Sequence, residues 1–454
     1  MPHAALLGLV LSLSPSPAPP LSFGPTAEPL AFRDVAVLDL DAGALVPHRT
    51  VVVRNGAVAA VGDADLALEA DVRVVDAKDG VLMPGLAEMH GHLPHPNWPA
   101  GMDEDVLFLY LANGVTTVRG MLGNPNQLTI RAKLADGEWL GPRLFVGSPP
   151  LTGSAVADAE VAEQLVKSFA AAGYDHLKVH EGLKPEVYFA ITAAAAEHGL
   201  SFGGHVSDLV GLPFALEAGQ ATIDHLDNVV RTLVPGPADT PLSFTAMVGT
   251  ADEERIGEIA DLVRQHGAAV VPTHALWRTF FGGESSEEAR ARCPESRYLP
   301  GSVVDGWATQ LDQQTAALAA IGKAPARLLE LRDAALLALH EAGVPILLGT
   351  DSPQVFSVPG FSIHEELQAM QAAGLTPLDA LRSGTLAVAA YYEEPLGGRI
   401  VPGAPADLVL LEASPLEDLA NTRRIVGVMR DGTWLSRDVL DARLSAIEER
   451  WSER

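Results

Sequence analysis

Between residues 80 and 392, short apolar runs recur eight times, separated by Ala-, Leu- and Glu-rich stretches long enough to be helices. The runs are "VLMPGLAEMHGH", "VTTVRGM", "RLFVGS", "HLKVH", "SFGGHVS", "ATIDHLD", "AAVVPTHAL" and "VPILLGTD". Strands joined through helices pair in parallel, because each crossover returns the chain to the same edge of the sheet. Eight such units in roughly 310 residues match a (β/α)8 TIM barrel with insertions, so the expected fold class is α/β. Local signals agree: "DEDVLFLYLANG" stops at Gly114, and "EVAEQLVKSFAAAGYD" carries its glycine where a helix ends. Ser362 and Glu365 have capping-box spacing, which makes His364 an early helix residue with a structural role.

The two ends of the chain read differently. "RTVVVRNGAVAAVGD" alternates apolar and polar positions about Asn55-Gly56, a hairpin signal, and "ADLVLLEAS" with "VGVMRDGTWL" supplies further strands folded about Asp431-Gly432. Together they predict a small β-sandwich built by residues 28–80 and 393–454, the latter including a C-terminal helix, around a barrel at 81–392. Residues 1–27 form a leader with an apolar run from Ala4 to Leu13 and a Pro- and Ser-rich "SPSPAPP". No Lys or Arg precedes Arg33 and no Ala-x-Ala-like site is present, so an export signal and a disordered leader both stay open. An exported and a cytoplasmic location are open with them.

Composition narrows the function classes. The net charge of −27 repels nucleic acid phosphates and anionic lipid surfaces. No apolar run reaches the roughly 18 residues a membrane span needs. The single cysteine, Cys293, rules out an intramolecular disulfide and cysteine-built metal sites, and no Gly-x-Ser-x-Gly elbow appears. A small molecule is the expected partner, and the oligomeric state is open, a homo-oligomer included.

In such a barrel, chemistry belongs at the C-terminal strand ends. There stand His90 and His92 on the first strand, Lys178 on the fourth, His205 on the fifth, His225 on the sixth and Asp351 on the eighth. His90 and His92 are two apart, so a strand points both to one face, within reach of one ion. His95 follows a proline and reads as a loop residue. Lys178 is one of only six lysines and lies inside an apolar strand, where an ammonium is costly unless paired or functional. Asp351 ends an apolar strand and needs a partner, which a cation supplies. His274 and Arg119 also fall near strand ends and are expected to serve loop structure.

This order of His-x-His, Lys, His, His and Asp resembles the amidohydrolase superfamily, in its binuclear subtype with a carboxylated lysine. The strings "MPGLAEMHGH", "LANGVTTVRG", "GYDHLKVH", "PGFSIHEELQAMQAAGLTPLDALRSGTLAVA" and "GRIVPGAPADLVLLEASPLEDLANTRRI" are similar to the branch of Xaa-Pro dipeptidase-like and imidazolonepropionase-related proteins. The resemblance implies that His90, His92 and Asp351 hold one divalent cation and His205 and His225 a second, with a CO2-derived carbamate on Lys178 bridging them. Zn2+ is the expected metal, although N/O ligands also suit Mn2+, Co2+ or Fe2+. It further implies hydrolysis of an amide or other C–N bond by a metal-bridged hydroxide, with Asp351 as general base. His180 stands where relatives often carry Tyr, two residues after the lysine and on its face, and is expected to contact substrate or the oxyanion.

A dipeptide or N-acyl amino acid is the leading substrate class. A mononuclear imidazolonepropionase- or deaminase-like enzyme is the second reading, and a scaffold without turnover the third. Selectivity is expected in the loops around 231–254 and 278–299, where no motif is legible.

Overall fold

The computed structural model describes residues 28–77, 79–94, 98–236 and 242–452. The leader at 1–27 and His95 lie outside the described residues.

The N-terminal part contains strands β1 (Leu30–Asp39), β2 (Ala44–Arg54), β3 (Ala57–Asp63), β4 (Arg73–Asp76) and β5 (Val81–Pro84). Then come β6 (Leu86–Gly91), β7 (Val115–Gly120), β8 (Arg143–Val146), β9 (His176–Val179), β10 (Ser201–Gly204), β11 (Thr222–Asp224) and β12 (Ala269–Val271), interleaved with helices. Strands β13 (Leu408–Leu411), β14 (Ile425–Arg430) and β15 (Thr433–Ser436) precede a final helix, Arg437–Ser452.

Strands from both chain ends pair in one eight-stranded mixed sheet, in the order β15-β14-β13-β5-β1-β2-β3, with β4 against β1. Its hairpins turn where the sequence predicts. Asn55 and Gly56, and likewise Asp431 and Gly432, have φ between 51° and 77°, as a type I′ turn requires at both central positions.

The middle of the chain forms parallel sheets, β6-β7-β8 and β9-β10-β11-β12. A parallel bridge between Gly147 and His176 links the two, and another joins Val270 to Ile346. The segment "VPILLGTD" carries only this bridge, yet Met89 N–H donates to Leu348 O and Asp351 N–H to His90 O, each at 2.8 Å. Backbone pairing that leaves β6 through β7 therefore returns to β6.

The run "VLMPGLAEMHGH", which reads as one strand, is split at Gly85. A Cβ there would collide with the Thr116 side chain, so only glycine lets the chain pass from the terminal sheet into the parallel one at this point. The helices at Met102–Ala112 and Ala159–Ala172 form as expected, followed by left-handed Gly114 and Gly173. The capping box at Ser362 does not form. The helix begins at Phe361 behind Gly360, whose φ is 78° and whose missing Cβ makes room for the Leu109 carbonyl. Ser362 thus falls inside the helix and donates to Thr350 Oγ1 at 3.1 Å, while Glu365 faces Arg292 and Arg423. His364 is buried against Thr422 and is structural, as expected.

No described helix is long and apolar enough to cross a membrane. The final helix packs on Met102–Ala112 through a buried carboxylate: Asp105 accepts two 2.8 Å hydrogen bonds from Arg450 and one of 3.1 Å from Trp451. Asp105→Ala is expected to cost about 1–3 kcal/mol, because it removes the buried carboxylate that accepts from Arg450 and Trp451 across the two helices. Urea denaturation of the full chain measures this.

Candidate metal centre

The C-terminal ends of the parallel strands bring His90, His92, Lys178, His205, His225 and Asp351 together. Lys178 Nζ is 3.2 Å from His90 Nε2. Asp351 lies 2.5 Å from His92 Nε2, 3.6 Å from His90 Nε2 and 3.7 Å from His225 Nδ1. The His90 and His225 ring centroids are 4.4 Å apart, those of His205 and His225 4.6 Å, and those of His180 and His205 4.1 Å. His180 therefore joins the cluster's outer side.

Strand ends carry these groups with unusual backbone. His225, Thr273 and Asp351 have φ of 61°, 49° and 62°, a left-handed region that non-glycine residues enter at a cost. The consequence at His225 is specific. Strand alternation would put Asp224 and His225 on opposite faces, but the turn at His225 lets both approach His90, Asp224 Oδ2 at 2.6 Å from its Nδ1.

Burial sets the electrostatics. It pushes the imidazoles of His90 and His225 well below the ordinary histidine value, and those of His205 and His180 down to about 3. These rings are neutral near pH 7, and those of His90, His205 and His225 each keep one nitrogen lone pair able to act as a ligand. Burial also holds the Lys178 amine below its usual value, against the opposing pull of Asp224 and Asp351. Asp227, which bonds His205 Nδ1 at 2.6 Å, is raised by burial to about 8, and Glu181 to about 7.

Two groups among the described residues bring three candidate ligand atoms within 4.8 Å of one another: His90 with His225 and Asp351, and His205 with Glu181 and Asp227. His225 thus groups with His90, whereas the sequence pairs it with His205. The donor set fits a cation: several neutral imidazoles face a carboxylate, and His225 Nε2 and His92 Nδ1 are buried without a hydrogen-bond partner.

Three residues support the cluster from outside it, two of them, Glu88 and Asp224, without a sequence-level expectation. Arg119, expected to serve loop structure, instead lies buried on β7 and donates from Nη2 to Asp224 at 3.1 Å and from Nε to the Met89 carbonyl at 2.7 Å. Glu88, also buried, accepts from the backbone N–H groups of His90 and Thr350, each at 2.9 Å, and from the Thr350 hydroxyl at 2.6 Å. The signal for Arg119 and Glu88 is the one that singles out Lys178, a charged residue within an apolar strand. Asp224 shows no such signal, because the turn that redirects its neighbour is a tertiary feature. His274, expected in a loop role, instead opens the helix His274–Phe281: its backbone N–H and that of Ala275 donate to the buried Glu366 carboxylate at 2.7 and 2.6 Å, and its Nε2 is 3.3 Å from Asp333.

The Amidohydrolase family model matches residues 81–435. Imidazolonepropionase from Anaeromyxobacter sp. (strain K) is 28% identical over 424 residues, covering 87% of this chain and 92% of that protein. Ochratoxinase from Aspergillus niger is 26% identical over 241 residues, 52% of this chain, and the match spans only 37% of the ochratoxinase. Among solved structures, a putative prolidase from Bifidobacterium longum superposes with a TM-score of 0.66 at 23% identity, covering 93% of this chain and 99% of that one.

Burial lowers the His274 imidazole to about 4, with the Asp333 carboxylate opposing. Between that value and about 6.5 the unfolded chain binds a proton that the folded chain does not. The contribution of His274 is therefore complete above pH 6.5 and is lost as pH falls toward 4. Stability of the wild type should decline more steeply over that window than that of His274→Gln, by up to about 1.4 kcal/mol per pH unit. Urea midpoints recorded at several pH values check it.

Proposed function

The chain belongs to the amidohydrolase family, and on that footing we propose that it hydrolyses an amide or other C–N bond in a small substrate. A dipeptide or N-acyl amino acid is the substrate class of choice, in keeping with the prolidase-like solved structure. The observation that carries the reading is the convergence of His90, His92, Lys178, His205, His225 and Asp351 on one largely buried cluster of imidazoles around a carboxylate.

Two divalent cations, Zn2+ by default, would supply Lewis acidity there, activating water and polarising the scissile carbonyl. His90, His92 and Asp351 would hold one and His205 and His225 the other, with carboxylated Lys178 as a ligand shared by the centre. Burial favours the neutral Lys178 amine, the form able to add CO2. Asp351 takes the proton of the attacking water and delivers it to the departing amine. His180 Nδ1 accepts the Glu181 N–H at 2.8 Å, so the neutral ring carries its proton on Nε2, free to donate to a developing oxyanion.

The architecture that accompanies this function is a closed (β/α)8 barrel at 81–392, supported by the pairing that returns to β6. The terminal segments form the accompanying β-sandwich, supported by a separate apolar cluster that includes Phe32, Val51, Leu408 and Met429.

One observation favours the mononuclear alternative: His90, His225 and Asp351 already form a compact three-residue group without Lys178. A panel of dipeptides, N-acyl amino acids and cyclic amides, offered to metal-reconstituted protein, tests both readings. Turnover of an open-chain amide is expected, lowered at least about 10²-fold in Asp351→Asn by loss of the proton acceptor and abolished in His90→Ala. Lys178→Ala should be inactive; full activity in that variant selects the mononuclear enzyme. No turnover of any compound by metal-loaded wild type would refute the proposal.

A further inference from the structure

We infer that Arg119 and Asp224 form an internal brace that fixes the tautomer and orientation of His90. The inference rests on the reading of His90 as a metal ligand, and its geometry stands apart from that reading. Asp224 is fully buried at the end of β11, and its Oδ2 is 2.6 Å from His90 Nδ1 on β6. Arg119, buried on β7, spans the space between those strands. Its Nη2 donates to Asp224 Oδ2 at 3.1 Å and to Thr222 Oγ1 at 3.2 Å, and its Nε to the carbonyl of Met89, next to His90. One guanidinium therefore grips the strand that carries His90 and the carboxylate that holds its ring.

With Asp224 ionised beside Arg119, the donor and acceptor roles in this chain of contacts are set. Arg119 has donors only, so the carboxylate must be the acceptor toward it. An ionised Asp224 is likewise an acceptor toward His90, so Nδ1 carries the hydrogen and Nε2 keeps its lone pair. Nε2 is the nitrogen that faces Lys178 Nζ at 3.2 Å and Asp351 at 3.6 Å. Carboxylates behind metal-bound histidines commonly set tautomer and ring angle in this way. Here the brace also explains the buried arginine, which without Asp224 would have no counter-charge in hydrogen-bond contact.

Asp224→Ala gives the sharpest test. Arg119 Nη2 and His90 Nδ1 both meet Oδ2, so an Asn oxygen could serve both, whereas Ala leaves His90 Nδ1 without its acceptor. Nothing then holds the ring proton on Nδ1. Both arms of the experiment use the full chain. Imidazole nitrogen NMR of metal-free, histidine-labelled protein, with His90→Ala identifying the resonance, should show the Nδ1–H tautomer in wild type and loss of that preference in Asp224→Ala. Zn2+ affinity, read by chelator competition, should fall about 10–100-fold in Asp224→Ala. Arg119→Met should weaken it too, and Arg119→Lys should recover part of the loss.

An Nε2–H tautomer in wild type would overturn the inference, as would unchanged His90 resonances and Zn2+ affinity in Asp224→Ala. If the variants fail to fold, the wild-type tautomer alone decides. If wild type takes up no metal, the hydrolase proposal falls, while the NMR comparison still judges the brace.

Discussion

Withdrawing many ionisable side chains from water at one place is the constraint on which the rest of this structure turns. Each such group costs free energy unless it is neutralised or paired. The cluster uses both routes. Burial drives His90, His205, His225 and Lys178 toward their uncharged forms, while Asp224 stays below its ordinary value against its own desolvation, with the Arg119 guanidinium as the leading favourable neighbour. The result is a set of free lone pairs facing a carboxylate, which a divalent cation would satisfy together.

The fold makes that concentration possible. Short parallel strands end at one level, so residues far apart in sequence become neighbours without long side-chain reach. Glu88 then ties the His90 backbone to Thr350, beside Asp351, and Arg119 ties β7 to β6 and β11. Backbone and ring of His90 are held by different groups, one from each side. Such support is what holds a functional constellation to its working geometry.

Much of this was legible from residue order. The alternation of apolar runs and helices predicts the parallel sheets, and the Asn55-Gly56 and Asp431-Gly432 pairs predict their turns, because both signals are local. The six candidate ligands follow from position at strand ends, and they converge. The capping box at Ser362 fails because Gly360 starts the helix against a neighbouring carbonyl, a contact that spacing does not encode. Arg119 was visible as a charge in an apolar strand, yet its partner was not. Asp224 reaches His90 only because His225 leaves the strand with φ of 61°. The grouping of His225 with His90 and Asp351 is equally a matter of ring placement across strands.

The central claim is that Lys178 belongs to a centre holding two cations. Counting metal per chain by mass spectrometry, after reconstitution and removal of loose ions, tests it most directly in wild type and Lys178→Ala side by side. The account predicts two ions per chain in wild type and fewer than two in the variant. One ion in both proteins, or none in wild type, would contradict it.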